Sequence, residues 1–183
     1  MIARAHEHRA GPGLGPRRGL ELAAALGLGL WTLVLAGCPS PPPPEPCEGE
    51  GDPVLTLANR GGGPVLADGV EVDVFPPPQG GVFTELDVVI ENLAMSELDY
   101  LRVTVDAVAT GESLAFVRFF GEGVPLLCTE QDELVVDYLP VGFMESVRLD
   151  DLDGVRATVT GALETTRGEF TTSHDVVLRV TDY

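Results

Sequence analysis

The feature that most restricts the fold of this chain is an alternation of apolar and polar side chains with a period of two. It begins near residue 52 and returns, after interruptions, almost to the C-terminus. Successive side chains of a β-strand point to opposite faces of a sheet, so this alternation predicts strands with one buried face. The clearest runs cover residues 70–74, 86–90, 101–107, 155–160 and 176–180. After Cys38, no stretch keeps a helical period long enough for a helix of ordinary length.

Shorter candidate strands and turn-forming residues fill the intervals between these runs. The weaker strand candidates are residues 54–58, 114–120, 134–138 and 146–149, and residues 93–98 fit a single helical turn. The pair Asp68-Gly69 predicts a tight hairpin between residues 65–66 and Val70, because Asp-Gly suits the turn that joins paired strands. Many short strands separated by turns indicate an all-β, antiparallel β-sandwich over residues 52–183.

The first 37 residues have the composition of an export signal. Four of the 11 arginines precede an apolar run at residues 22–35, and small residues follow it. This run is shorter than the roughly 20 residues that a membrane-spanning helix needs, and the prolines after Cys38 end it abruptly. A cleaved signal peptide over residues 1–37 is therefore predicted. Arg17-Arg18 partly resembles a twin-arginine signal, which leaves both the general secretory and the twin-arginine routes open.

Leu35-Ala36-Gly37-Cys38 resembles the lipobox of bacterial lipoproteins at every position. The resemblance implies cleavage between Gly37 and Cys38, attachment of diacylglycerol to the Cys38 thiol, and further acylation, for instance by palmitate, of the new N-terminus. Several acyl chains anchor a protein stably to a membrane, where a single chain is marginal. Pro39 follows the cysteine instead of the aspartate that often retains such proteins in the inner membrane, so the cell envelope, and within it the outer membrane, is the expected location.

Residues 38–51 comprise the lipidated cysteine and a proline-rich linker. Six prolines within residues 39–46 exclude a helix and an inner strand, and they favour an extended polyproline spacer.

The sequence has three cysteines, and lipid occupies Cys38. Cys47 and Cys128 are then an even pair in an oxidising compartment, so a disulfide between them is predicted.

Two further resemblances concern the folded domain. Residues 153–159 and 170–181 resemble the last two strands of immunoglobulin-like and PKD-like domains, although the tryptophan and tyrosine common in that family are missing. This implies an immunoglobulin-like arrangement of the sandwich. Separately, Asp68-Gly69 with the later turn Pro78-Gln79-Gly80-Gly81 resembles a group of uncharacterised bacterial lipoproteins, which implies no activity.

Charge and motifs exclude several functions. The full chain carries a net charge of −18 with no lysine, and removal of the signal segment makes it more acidic, so it is expected to repel nucleic acid. His174 is the only histidine after residue 37, and no known hydrolase motif surrounds it. His174 is therefore interpreted as a surface polar residue, and an enzymatic role is not expected.

Asp150, Asp151 and Asp153 precede Gly154 in one loop. Calcium binds six to eight oxygen ligands, often from acidic loops, although the sequence does not match an EF-hand because Thr160 stands where that motif needs glutamate. A solvated turn and a calcium site both remain open, and a calcium-dependent rise in melting temperature would identify the second. No other cofactor is expected.

The resulting hypothesis is a lipid-anchored protein of the cell envelope that is not an enzyme. Its acidic sandwich is expected to bind an envelope protein or a glycan, or to act as a structural scaffold, and the lipid anchor provides its contact with the membrane. A calcium-dependent adhesion module is the alternative, followed by a hydrolytic enzyme. The loops at residues 76–81, 121–123 and 150–154 are the expected recognition surface, because the ends of sandwiches commonly carry it.

Overall fold

A computed structural model describes Cys47 and residues 49–76, 81–120 and 125–181. The signal segment, the lipobox with Gly37 and Cys38, and the proline-rich residues 39–46 lie outside the described residues. Residues 77–80, which include all of the Pro78-Gln79-Gly80-Gly81 turn except Gly81, and the loop at residues 121–124 also lie outside them. The described residues include no helix that could serve as a transmembrane segment.

The described residues form nine strands and short 3-10 turns, which confirms the predicted all-β sandwich class. The strands are β1 (Val54–Asn59), β2 (Glu71–Phe75), β3 (Phe83–Glu91), β4 (Leu98–Ala107), β5 (Ser113–Phe120), β6 (Leu127–Cys128), β7 (Leu134–Gly142), β8 (Arg156–Thr165) and β9 (Gly168–Val180). Each of the five clear alternating runs lies in one of these strands or differs from it by a residue at one end. The predicted helical turn is a 3-10 turn at Met95–Glu97.

The strands form two layers joined by β2. One layer has the order β1-β3-β7-β6, and the other has the order β5-β4-β8-β9. Strand β2 pairs in parallel with β9 and antiparallel with the beginning of β3, so it connects the layers along one side. Every other strand pairing is antiparallel. The parallel β2–β9 pair is thus the one departure from the predicted antiparallel arrangement among the described strands.

The core lies between the two layers and is built from the apolar members of the alternating runs. Large side chains with no more than 2% exposure include Leu57, Leu86, Leu101, Leu139, Leu163 and Leu178. Burying one such side chain contributes about 1.5–3 kcal/mol to folding. Gly161 of β8 lies opposite β1, and a methyl group added at Gly161 would come within 2.8 Å of the Leu55 side chain. The layers therefore approach each other closely where glycine faces leucine.

Two local predictions from the sequence were wrong. Asp68-Gly69 forms a turn, but residues 65–66 on one side of it bond to β1, whereas residue 71 on the other side enters β2 beside β9. The turn transfers the chain from one layer to the other and does not close a hairpin. Residues 146–149 form turns and the beginning of a 3-10 helix at Leu149–Asp151 instead of a strand.

The packed domain includes residues that the sequence had assigned to the linker. Cys47 is 1% exposed, and a methyl group added to Gly49 would lie 2.5 Å from the Cα of Leu93. The Arg167 guanidinium donates to the backbone carbonyls of Gly51 and Asn92 and pairs with Glu97. These contacts hold Cys47, Gly49 and Gly51 against the sandwich, so tight packing starts before the predicted boundary at residue 52.

Candidate functional site

Cys47 and Cys128 form the predicted disulfide. Their sulfurs are 2.05 Å apart and their Cα atoms 5.7 Å apart. The bond joins the segment before β1 to β6, which contributes only two residues to the edge of its layer. Its position shows what the even cysteine count could not, namely that the bond secures an edge of the sandwich.

The three aspartates of the predicted calcium loop are exposed and do not converge. Asp150 and Asp151 belong to the 3-10 turn, and the Asp153 carboxylate accepts a hydrogen bond from the Val180 backbone N–H at 3.1 Å. Among the described residues, the one group of three candidate ligands within 4.8 Å of one another is Cys47, Cys128 and Asp132. The disulfide makes both of these sulfurs unsuitable as thiolate ligands. Calcium binding at residues 150–153 stays a prediction, and this geometry gives it no support.

His174 lies on β9, half-buried, with its Nε2 atom 3.1 Å from the Thr172 hydroxyl. A surface cavity of about 410 Å³ lies nearby, between residues 53–55 and Glu169–Thr172, and it is not lined by His174. Beyond the Thr172 contact, the described residues place no nucleophile within hydrogen-bond distance of the ring. The sequence interpreted His174 as a surface polar residue, and the structure places it only partly at the surface, half-buried on β9.

An acidic cleft of about 280 Å³ lies next to the disulfide. Its lining residues are Glu50, Glu91, Asn92, Gln131, Asp132 and Glu133. Asn92 and Asp132 both have positive φ angles, near 60°, which asparagine and aspartate tolerate better than most residues. Four carboxylates at one end of the sandwich attract cations electrostatically, as the charge of the whole chain does.

The outer face of β5 differs from the rest of this acidic protein because it is aromatic and cationic. Phe116 and Phe120 are 48% and 64% exposed, and Arg118 stands between them on the same face. Tyr100 of β4 lies opposite Phe120. We call these four side chains the β5 surface. Exposed aromatic side chains of this size are typical of recognition surfaces.

Arg118 is held by aromatic rings. Its guanidinium carbon lies 3.7 Å from the centre of the Tyr100 ring and 5.1 Å from that of Phe120. No carboxylate of the described residues lies within ion-pair distance of it. Stacking uses the faces of the guanidinium and leaves N–H groups at its edge able to donate to an anion. In a chain of net charge −18, it is unusual that no described acidic residue pairs with this cation.

Two pairs of polar side chains lie beside the β5 surface. Arg102 of β4 extends over the buried Ala162 of β8 and forms an ion pair with Glu169 of β9, with an N–O distance of 3.1 Å. The Tyr100 hydroxyl lies beside Glu164, its cross-strand neighbour on β8, to which it donates a hydrogen bond while it keeps its proton. This hydrogen bond is the main cause of the raised pKa of Tyr100, ahead of burial and of the negative charge of Glu164, while Arg118 and Arg102 oppose the shift.

The Tyr100–Glu164 contact predicts a pH-dependent change. Because the pKa of Tyr100 is raised above 10, the contact is intact below that pH and is lost as the pH rises through the raised pKa. In the Glu164→Gln variant we expect the pKa of Tyr100 to fall toward its ordinary value, as measured by NMR titration of labelled tyrosine. Tyr138 is the internal control, because burial and Glu85 raise its pKa. An unchanged Tyr100 titration would contradict the assignment.

The sequence contained a signal for the β5 surface that the search for catalytic and metal motifs overlooked. Residues 114–120 are apolar on both faces of the strand, with Arg118 the only charge. A strand with one solvated face should alternate, so apolar residues at positions 116 and 120 indicate an exposed apolar face.

Comparisons with known proteins provide little further information. No family model matches the sequence, and no curated protein matches it. Among solved structures, the CooA pilin subunit from enterotoxigenic Escherichia coli is similar, with 10% sequence identity and a TM-score of 0.34. The match covers 69% of this chain and 98% of the pilin. At that TM-score the similarity carries no inference about the role of this chain.

Proposed function

We propose that this protein is a lipid-anchored binding module of the bacterial cell envelope and that it is not an enzyme. The complete lipobox at residues 35–38 supports the anchor. The Cys47–Cys128 disulfide is compatible with export, because such bonds persist in oxidising compartments. Absence of an aspartate after Cys38 favours the outer membrane.

The observation that carries the binding role is the β5 surface. It combines two exposed phenylalanines, a stacked arginine and a tyrosine on one rigid strand pair. Tyrosine and arginine are enriched in the residues that dominate binding energy at protein interfaces. Strands hold such side chains more rigidly than loops, so less conformational entropy is lost on binding. The proposed contact surface is therefore a sheet face, in place of the loop ends that the sequence suggested.

The anchor is tested by Cys38→Ala. We expect the variant to lose all acylation and to leave the membrane fraction, because the acyl chains are the proposed attachment. Mass spectrometry of the mature N-terminus measures acylation, and fractionation measures location. Cys128→Ala with Cys47→Ala is the control, since it removes the other cysteines and should leave acylation intact. An unlipidated wild-type chain that begins at another residue would refute the anchor.

The binding role is tested by Phe116→Ser combined with Phe120→Ser. We expect this variant to lose about tenfold or more in capture of envelope partners by the tethered protein after cross-linking, because two exposed rings leave the contact. Val65→Ser is the matched control, as Val65 is 58% exposed but lies outside the β5 surface. Equal capture by all three proteins would show that the β5 surface is not the contact.

A further inference from the structure

Among the described residues, the side of the sandwich between β5 and β7 is only partly closed by strand pairing. Just after the end of β7, Phe143 forms an isolated β-bridge with Ala115 of β5. The neighbouring Met144 N–H donates to the carbonyl of Leu114, also of β5, at 2.9 Å. At its other end β7 pairs with β6 through residues 134 and 135. Between these two contacts, no described strand pairs with this edge of β7, and none pairs with β5 after the bridge. The free part of β5 comprises residues 117–120.

The free edge of β5 offers hydrogen-bonding groups of the backbone. Alternate residues of a strand direct their N–H and C=O to opposite edges. The Leu114 carbonyl points away from β4, toward Met144. Residues 118 and 120 lie an even number of positions further along the strand, so their N–H and C=O groups point to the same open edge. Natural proteins usually cover or charge such edges, because uncovered ones pair with other chains. On this edge Arg118 is the only charged side chain.

Side chains and backbone at this edge specify the same kind of ligand. A strand that pairs with β5 would place alternate side chains beside Phe116, Arg118 and Phe120. The two phenylalanines favour apolar neighbours, whereas the guanidinium of Arg118, which has no acidic partner among the described residues, favours a carboxylate. A second copy of this chain fits poorly, because the net charge of −18 is repulsive and a β5–β5 pair centred on position 118 would oppose two arginines. A glycan would use the rings but not the backbone edge.

We propose that β5 accepts an extended peptide segment of a partner protein as an added strand. This segment has a carboxylate beside Arg118 and apolar side chains beside Phe116 and Phe120. The proposal rests on the proposed binding function and identifies the partner chemistry of the same surface. Main-chain hydrogen bonds supply affinity in strand addition, and alternate side chains supply specificity.

Synthetic peptides test the geometry. The probe is a fluorescent peptide of about seven residues. Threonine occupies every second position from the first, and valine, glutamate and valine occupy, in that order, the positions between the threonines. We expect it to bind the full mature protein, as measured by fluorescence anisotropy. Alternate amides of the bound peptide form two sets, one that faces β5 and one that faces away from it. N-methylation of the set that faces β5 should weaken binding by about tenfold or more, whereas N-methylation of the other set should have little effect. Equal effects of N-methylation on the two sets of amides, or no binding of the peptide, would refute strand addition.

A charge exchange tests the register. Arg118→Glu should weaken binding of the glutamate peptide by about tenfold, and a peptide with arginine in place of the glutamate should recover that loss. Arg118→Gln controls for lost stacking, and circular dichroism confirms that each variant is folded. Failure of the peptides, with cross-linked capture still dependent on Phe116 and Phe120, would refute strand addition and leave the binding function standing. Loss of both would refute the binding function as well.

Discussion

Replacing Cys47 and Cys128 together by alanine is expected to lower the free energy of unfolding by about 4–5 kcal/mol. The two cysteines are 81 positions apart, so the bond removes a large share of the conformational freedom of the unfolded chain. Single domains are stable by only about 5–15 kcal/mol, which makes this a large effect. Alanine is chosen because Cys47 is 1% exposed, and serine would bury an unbonded hydroxyl group.

Urea unfolding of a chain that begins at Cys47, followed by circular dichroism, measures the loss. Wild-type protein under reducing conditions is the control, and it should unfold at nearly the same urea concentration as the double variant. The Arg167 contacts with Gly51 and Asn92 do not depend on the disulfide, so they should retain the packing of Gly51 against the sandwich in the variant. A difference below about 1 kcal/mol between wild type and variant would show that the disulfide does not stabilise the domain.

The strands could be predicted from the sequence because burial on one face imposes alternation directly on neighbouring residues. Strand β4 illustrates this: Leu101, Val103 and Val105 are fully buried, while Arg102 and Thr104 are partly exposed. The partner of each strand could not be predicted in the same way, since pairing depends on distant residues. Strand β2 alternates as clearly as β4, yet nothing in its residues indicates a parallel pairing with β9.

The turn at Asp68-Gly69 shows the same limit more locally. Its residues specify a turn, and Gly69 has the positive φ of 86° that such turns favour. The direction of the chain after the turn depends on contacts with β9, where the Asp68 carboxylate accepts from the Asp175 N–H and the Gly69 N–H donates to the Asp175 carbonyl. These contacts span more than 100 residues, so the local pattern could not distinguish a hairpin from a crossing between layers.

The candidate site was harder to predict than the fold. Phe116 and Phe120 resemble core residues in sequence, and their exposure follows from the position of β5 at the end of its layer. Arg118 becomes distinctive only when β4 places Tyr100 beside it. The acidic loop at residues 150–153 was conspicuous in sequence, but the structure uses Asp153 to bond the Val180 N–H. Motifs indicate chemistry well when neighbours in sequence form the site, and here the partners come from different strands.

The second large effect is expected where β1 crosses β8. Leu57→Ala should lower the free energy of unfolding by about 2–5 kcal/mol, because Leu57 is fully buried and its loss leaves a cavity. Gly161→Ala should cost about 1–3 kcal/mol for the opposite reason, since its methyl group would lie 2.8 Å from Leu55 and 3.2 Å from Leu57. Gly142→Ala is the control, because no atom lies within 4 Å of the methyl group added there.

The two changes should compensate partly when they are combined. The alanine methyl at position 161 would enter space that Leu57 vacates, so the double variant should lose less stability than the two single variants together. Denaturant unfolding of all four proteins forms a double-mutant cycle, and the expected coupling is about 0.5–3 kcal/mol in the compensating direction. Additive losses would mean that the residues do not share one space, and that β1 does not lie over β8 in the way that Leu55, Leu57 and Gly161 require.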